Sequence, residues 1–192
     1  MKKYILLALI VSVSGCGSVK YTYDGGSYTG PDEFQSGVDA TNREAHDQLV
    51  KELRVEAPLS SKQLLIALPS LDTIKSGYKL PNVLQVTPAQ ISARNNLSES
   101  TYKQYEMIAQ VIKEIGIYSG VKTIESDGAR LKPSSTETVL YLYVLPDQTS
   151  SQWYIDGTKQ GVLAVNVDRG QPKLVGKIRS FVNSVKGYAI AD

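Results

Sequence analysis

The chain has 192 residues and a formal charge of +2, with 42% hydrophobic and 21% charged residues. That balance excludes a collagen-like or largely disordered polymer, and the length allows one hydrophobic core with room for a tail. One Cys and one His exclude a disulfide scaffold, a zinc finger and a Cys-His catalytic pair within the body.

Met1, Lys2 and Lys3 form a short basic start, and residues 5–11 form an unbroken apolar run. A stable transmembrane helix needs about 20 apolar residues, so this run fits the apolar region of a secretion signal instead. It ends in Val13-Ser14-Gly15-Cys16, which resembles the lipobox of bacterial lipoproteins. The resemblance implies alkylation of the Cys16 thiol by a diacylglyceryl group, cleavage between Gly15 and Cys16, and acylation of the new amine. In that family an Asp after the Cys retains the protein in the inner membrane. Gly17 stands there, which implies the periplasmic face of the outer membrane. Each buried methylene contributes about 0.8 kcal/mol, and two or more chains are needed for stable anchoring. Removing residues 1–15 takes away Lys2 and Lys3 and leaves 19 basic against 19 acidic side chains. No surplus charge then remains to attract nucleic acid.

Residues 16–38 read as a lipidated Cys and a flexible tether, with Gly17, Gly25, Gly26, Gly30, Gly37, several Ser and Pro31. Extended, it reaches at most ~70 Å, and as a coil it averages ~25 Å. Tyr21, Tyr23 and Tyr28 interrupt it. Such tyrosines either dock onto a partner or onto the body, or belong to a linker, and the composition favours the linker.

Residues 39–192 are expected to form one globular domain. Thr41 and Glu44 match a capping box, and Ala45, Leu49 and Leu53 recur at i, i+4, i+8, which predicts a helix over 42–54. His46 lies off that stripe and reads as a surface residue. Residues 63–69 form a short apolar run closed by Pro69, as in a strand buried on both faces. Residues 71–97 read as irregular, with a possible short strand at 83–86. Tyr105, Ile108, Ile112 and Ile115 mark a second helix from Ser98 or Ser100 to Gly116, which suits a left-handed cap. Strands follow at 121–125, 138–145, 152–155 and 161–167, with hairpin and turn signals at 156–159 and 168–172. Residues 173–186 fit either a helix or a strand, and the strand is favoured for their first part. The fold class expected is α+β or three-layer α/β, a mixed sheet with two main helices and C-terminal hairpins.

Leu65 to Pro69, then Gly116, Ile117 and Tyr118, and the apolar run at 139–144 resemble a small envelope domain. It is shared by the TolB N-terminal region, the curli-secretion lipoprotein and the penicillin-binding-protein activator lipoproteins. The likeness would span residues 60–182. It implies partner binding or ring assembly in the cell envelope, and it supplies no catalytic residues.

No phosphate-binding Gly-rich loop, dinucleotide fingerprint or nucleophile elbow is present, and no cofactor or metal is expected. Asp72, Asp127, Asp147, Asp156 and Asp168 fall at loops or turns, where Asp serves turn geometry. Trp153 and Tyr154 are adjacent, so on a strand they point to opposite faces. They are the candidate partner-binding pair, although a single Trp is more readily a core residue. The function expected is therefore a non-enzymatic lipoprotein that binds an envelope protein, in secretion, surface-polymer or peptidoglycan synthesis. The chain could also self-associate. The alternatives are a cell-wall glycan hydrolase working through carboxylates and an oligomeric pore subunit giving one hairpin from 161–182.

Overall fold

The computed structural model describes residues 21–23, 26–77, 88–126, 131–144, 151–156, 161–165 and 174–191. Two three-residue strands, β1 (Tyr21–Tyr23) and β2 (Gly26–Tyr28), pair antiparallel with Tyr21 opposite Tyr28. Helix α1 (Pro31–Leu53) follows at once. Pro31 suits a first turn, where its missing N–H costs nothing. Asp32 and Glu33 face the positive end of the helix and Lys51 the negative end. The buried stripe runs Phe34, Val38, Asn42, Ala45, Leu49 and Leu53. The helix expected from residue 42 therefore starts three turns earlier, and Thr41 lies inside it. Residues 31–38, read from composition as tether, are helical because Phe34 and Val38 extend the apolar stripe upstream.

Strand β3 (Ser60–Leu68) leads through α2 (Leu71–Gly77) to α3 (Pro88–Ile115) and β4 (Tyr118–Glu125). Ser70 Oγ accepts from the Thr73 N–H at 3.1 Å and caps α2. The stretch expected to be irregular over 71–97 thus contains a short helix and the first turns of a long one. The possible strand at 83–86 lies outside the described residues. Gly116 ends α3 at φ 74°, the left-handed cap expected there.

The main sheet has the order β4-β3-β5-β6-β7, with β5 (Glu137–Val144), β6 (Ser151–Asp156) and β7 (Gly161–Val165). The pairs β3–β4 and β3–β5 are parallel, and β5–β6 and β6–β7 are antiparallel. Parallel crossovers are right-handed, so two crossovers stepping in opposite directions along a sheet must pass on opposite faces. The step from β3 to β4 runs through α2 and α3. The step back from β4 to β5 therefore crosses the other face. Leu131, on that return, packs with Leu65 and Ile124 against buried Ala67, Val139 and Tyr141. The Tyr141 hydroxyl accepts from the Leu131 N–H at 2.6 Å and donates to the Leu131 carbonyl at 2.9 Å.

Leu64, Ile66, Leu68, Leu140 and Ile155 face the helices and form one core with Ala45, Leu49 and Leu53 of α1, Ile74 of α2 and the apolar stripe of α3. The last helix, α4 (Leu174–Ala191), closes that core with Ile178, Phe181, Val182, Val185 and Ala189. This corrects the strand favoured for the first part of 173–186. Phe181 and Val182 are both buried on the same core, which adjacent strand positions cannot achieve. It also removes the hairpin that a pore subunit would take from 161–182. The fold is a mixed α/β sheet, and among the described residues its helices lie on one face.

Candidate functional site

Gly15 and Cys16 lie outside the described residues. The structure begins five residues after Cys16, at Tyr21, and what it shows there is a docked segment. Tyr21 is 4% exposed, Phe34 1% and Val38 0%, and with half-buried Tyr28 they form a small cluster separate from the main core. The rings of Tyr21 and Phe34 stack at 5.1 Å, and Tyr28 meets Phe34 edge-on at 5.9 Å. Such pairs add about 0.5–1.5 kcal/mol beyond area burial. Tyr21 and Tyr28, favoured as linker residues, therefore dock onto the body.

Two glycines make room for Tyr28. A Cβ on Gly37 would fall within the Tyr28 ring, and one on Gly26 would meet its phenolic end. The Thr29 N–H and hydroxyl both donate to Glu33 Oε2, at 2.7 and 2.6 Å. These two bonds, the hydroxyl's foremost, hold the Glu33 carboxyl below its ordinary range. Composition hid this site because Gly, Ser and Tyr resemble linker. The signal that finds it is Phe34 and Val38, placed at i and i+4 just upstream of the Ala45 stripe.

Beyond this clasp, α1 and α3 run side by side, with Gln35 Nε2 on the Asn96 carbonyl at 3.2 Å and Lys103 Nζ on Asp39 Oδ1 at 2.7 Å. Farther along, His46 Nε2 lies 3.4 Å from Glu114 Oε1, and its Nδ1 3.0 Å from Asp47 Oδ1. His46, read from the sequence as a surface residue, is half-buried between Asp47 of its own helix and Glu114 of α3. The middle of α3 buries polar groups: Ser98, Ser100, Thr101 and Gln104 are all under one-tenth exposed. Gln104 is 1% exposed, and neither atom of its amide has a hydrogen-bond partner. Burial raises the Glu106 carboxyl despite a bond from Tyr102, and burial, followed by the Glu106 charge, raises the Tyr102 phenol.

Trp153 and Tyr154 both lie on β6, as expected of strand residues. Trp153 stands opposite Leu142 and Leu163, and Tyr154 opposite Tyr141 and Val162. Trp153 has the strand parity of Ile155, and Tyr154 the parity of the face crossed by Leu131. Of the aspartates expected at loops or turns, Asp72 lies instead in the first turn of α2, exposed and 3.9 Å from Lys75, and Asp156 is the last residue of β6. Asp127, Asp147 and Asp168 lie outside the described residues. Among the described residues no group of three His, Cys, Asp or Glu side chains could hold a metal ion. A shallow open groove on the outer face of α1 is lined by Ala40, Arg43, Glu44, Asp47, Gln48 and Lys51.

No family model, curated protein or solved structure matches this chain.

Proposed function

We propose that the chain is a lipoprotein held on the periplasmic face of the outer membrane through acylated Cys16. Its α/β body is a non-enzymatic binding or assembly module for an envelope complex. The observation that carries this reading is the placement of the only Cys. It follows a basic start and a seven-residue apolar run, at the end of Val13-Ser14-Gly15, and stands five residues before the first strand. Two or three acyl chains on that residue anchor the body stably, and anchoring makes its docking to a membrane-bound partner effectively intramolecular. The partner is a protein of the envelope, met through the strand that carries Trp153 and Tyr154, since aromatic residues make strong contact anchors.

The test is Cys16→Ser in the full chain. The variant should keep the circular dichroism of the wild type and leave the membrane fraction. A photocrosslinking residue at Trp153 or Tyr154 should capture an envelope protein, or a second copy of the chain. Equal membrane retention of Cys16→Ser would count against the anchor, and crosslinks to neither would count against the contact strand.

A further inference from the structure

Among the described residues, the β1–β2 hairpin is held to the body through one small aromatic cluster. Isolated two-stranded hairpins are marginal in water, and each strand here has three residues. What holds this one is the cluster of Tyr21, Tyr28, Phe34 and Val38, which shares no member with the main core. To that are added the Thr29 bonds to Glu33 and the Gly30 carbonyl accepting from the Phe34 N–H at 2.9 Å. Tyr28 fits because Gly37 has no side chain. Gly inside a helix is unfavourable relative to Ala, so α1 carries a penalty at the position where this ring lies. Small units of this kind, with little buried apolar surface, open at low free energy while the rest of a fold stays closed.

We infer that residues 21–30 are a releasable strap that sets how far the body stands from the membrane. This rests on the reading of Cys16 as the anchor. With the strap docked, the chain between anchor and body is residues 17–20, at most ~14 Å long. Releasing residues 21–30 adds up to ~35 Å, because the body then begins at Pro31. The docked form holds the body against the bilayer, and the released form lets it reach a partner farther into the periplasm. A partner that binds the Phe34 and Val38 face of α1 uncovered by release favours the released form by its differential affinity.

Gly37→Ala is the variant of choice. It fills the seat of the Tyr28 ring and raises the helix propensity of α1, so a purely structural glycine would be improved by it. Amide hydrogen exchange of the full chain reads the strap directly. In the wild type, amides 21, 23, 26 and 28, which belong to the hydrogen-bonded pairs of the hairpin, should exchange at least about tenfold more slowly than in a free peptide. In Gly37→Ala they should reach the free-peptide rate, with amides 108–115 unchanged. Tyr28→Phe keeps the ring and should keep the protection. Free-peptide exchange in the wild type, or full protection in Gly37→Ala, would overturn the strap.

The standoff is read on the natively lipidated chain in phosphatidylethanolamine/phosphatidylglycerol vesicles. A dye on Glu44→Cys serves as donor to a dye in the bilayer. Gly37→Ala should lower the energy transfer relative to the wild type. Strap release with unchanged transfer would overturn the standoff. A chain that does not bind vesicles at all would overturn the anchor reading instead, and the exchange result would stand apart from it.

Discussion

Past Asn42 on α1 and Gln104 on α3, the two helices give Ala45, Leu49, Leu53, Ile108, Ile112 and Ile115 to one apolar core backed by the sheet. Before those positions the same helices bury Gln35, Asn96, Ser98, Ser100, Thr101 and Gln104 to differing degrees, and their apolar side, Phe34 and Val38, goes to the hairpin. α3 is about 42 Å long against about 30 Å for β3, so its first turns reach past the strands. The difference teaches where stability is concentrated. One tier is fixed by packing. The other contains a buried amide without partners, which costs about 1–3 kcal/mol, and it depends on two tyrosines from the N-terminal side. A fold that holds firmly at one end and loosely where its tether joins suits a body that must move relative to an anchor.

The comparison breaks most visibly at Ile112. Ile112→Ala should cost about 2–5 kcal/mol, as do other large-to-small changes in a closed core, with the loss read by urea unfolding. Gln104→Met should act in the opposite direction and raise stability by about 1 kcal/mol, because it removes an unsatisfied amide at nearly constant volume. A destabilised Gln104→Met would mean that the amide is satisfied in solution. Lys103→Ala removes a partly exposed pair with Asp39 and should change stability by about 0.2–1 kcal/mol, the smallest effect in the series.

Acid sharpens the contrast by sign. The folded-state pKa of Glu33 is depressed, first by the Thr29 hydroxyl and then by its N–H. Its contribution is present above the unfolded value near 4.5 and is lost as pH falls through the depressed value. Glu106 is raised by burial, so its contribution is present below 4.5 and is lost as pH rises through the raised value. Hydrogen exchange corrected for intrinsic rates should show strap protection falling as pH drops below 4.5. In Glu33→Gln that pH step should disappear.

Much of the packed tier was legible in the sequence. The stripes Ala45-Leu49-Leu53 and Tyr105-Ile108-Ile112-Ile115, Gly116 as a left-handed cap and the β-branched run at 138–145 each follow from a local period or backbone need. The looser tier was not legible. Phe34 and Val38 are only two apolar residues among Gly and polar neighbours, and α3 upstream of Ser98 offers only the weakly apolar spacing Ala89, Ala93 and Leu97, so tertiary docking more than pattern decides that those segments are helical. α4 was ambiguous because Leu174, Gly176 and Ile178 satisfy a period of two as well as 3.6. Only the later burial of Phe181 and Val182 together separates the two. The strap could not be read until Tyr28 was seen against Gly37.

Intact-mass analysis of the polypeptide extracted from the membranes of bacteria producing the full chain tests the anchor most directly. The expected mass lacks residues 1–15 and carries a diacylglyceryl group, with or without a further acyl chain, on Cys16. A polypeptide still beginning at Met1 with an unmodified thiol would contradict the account.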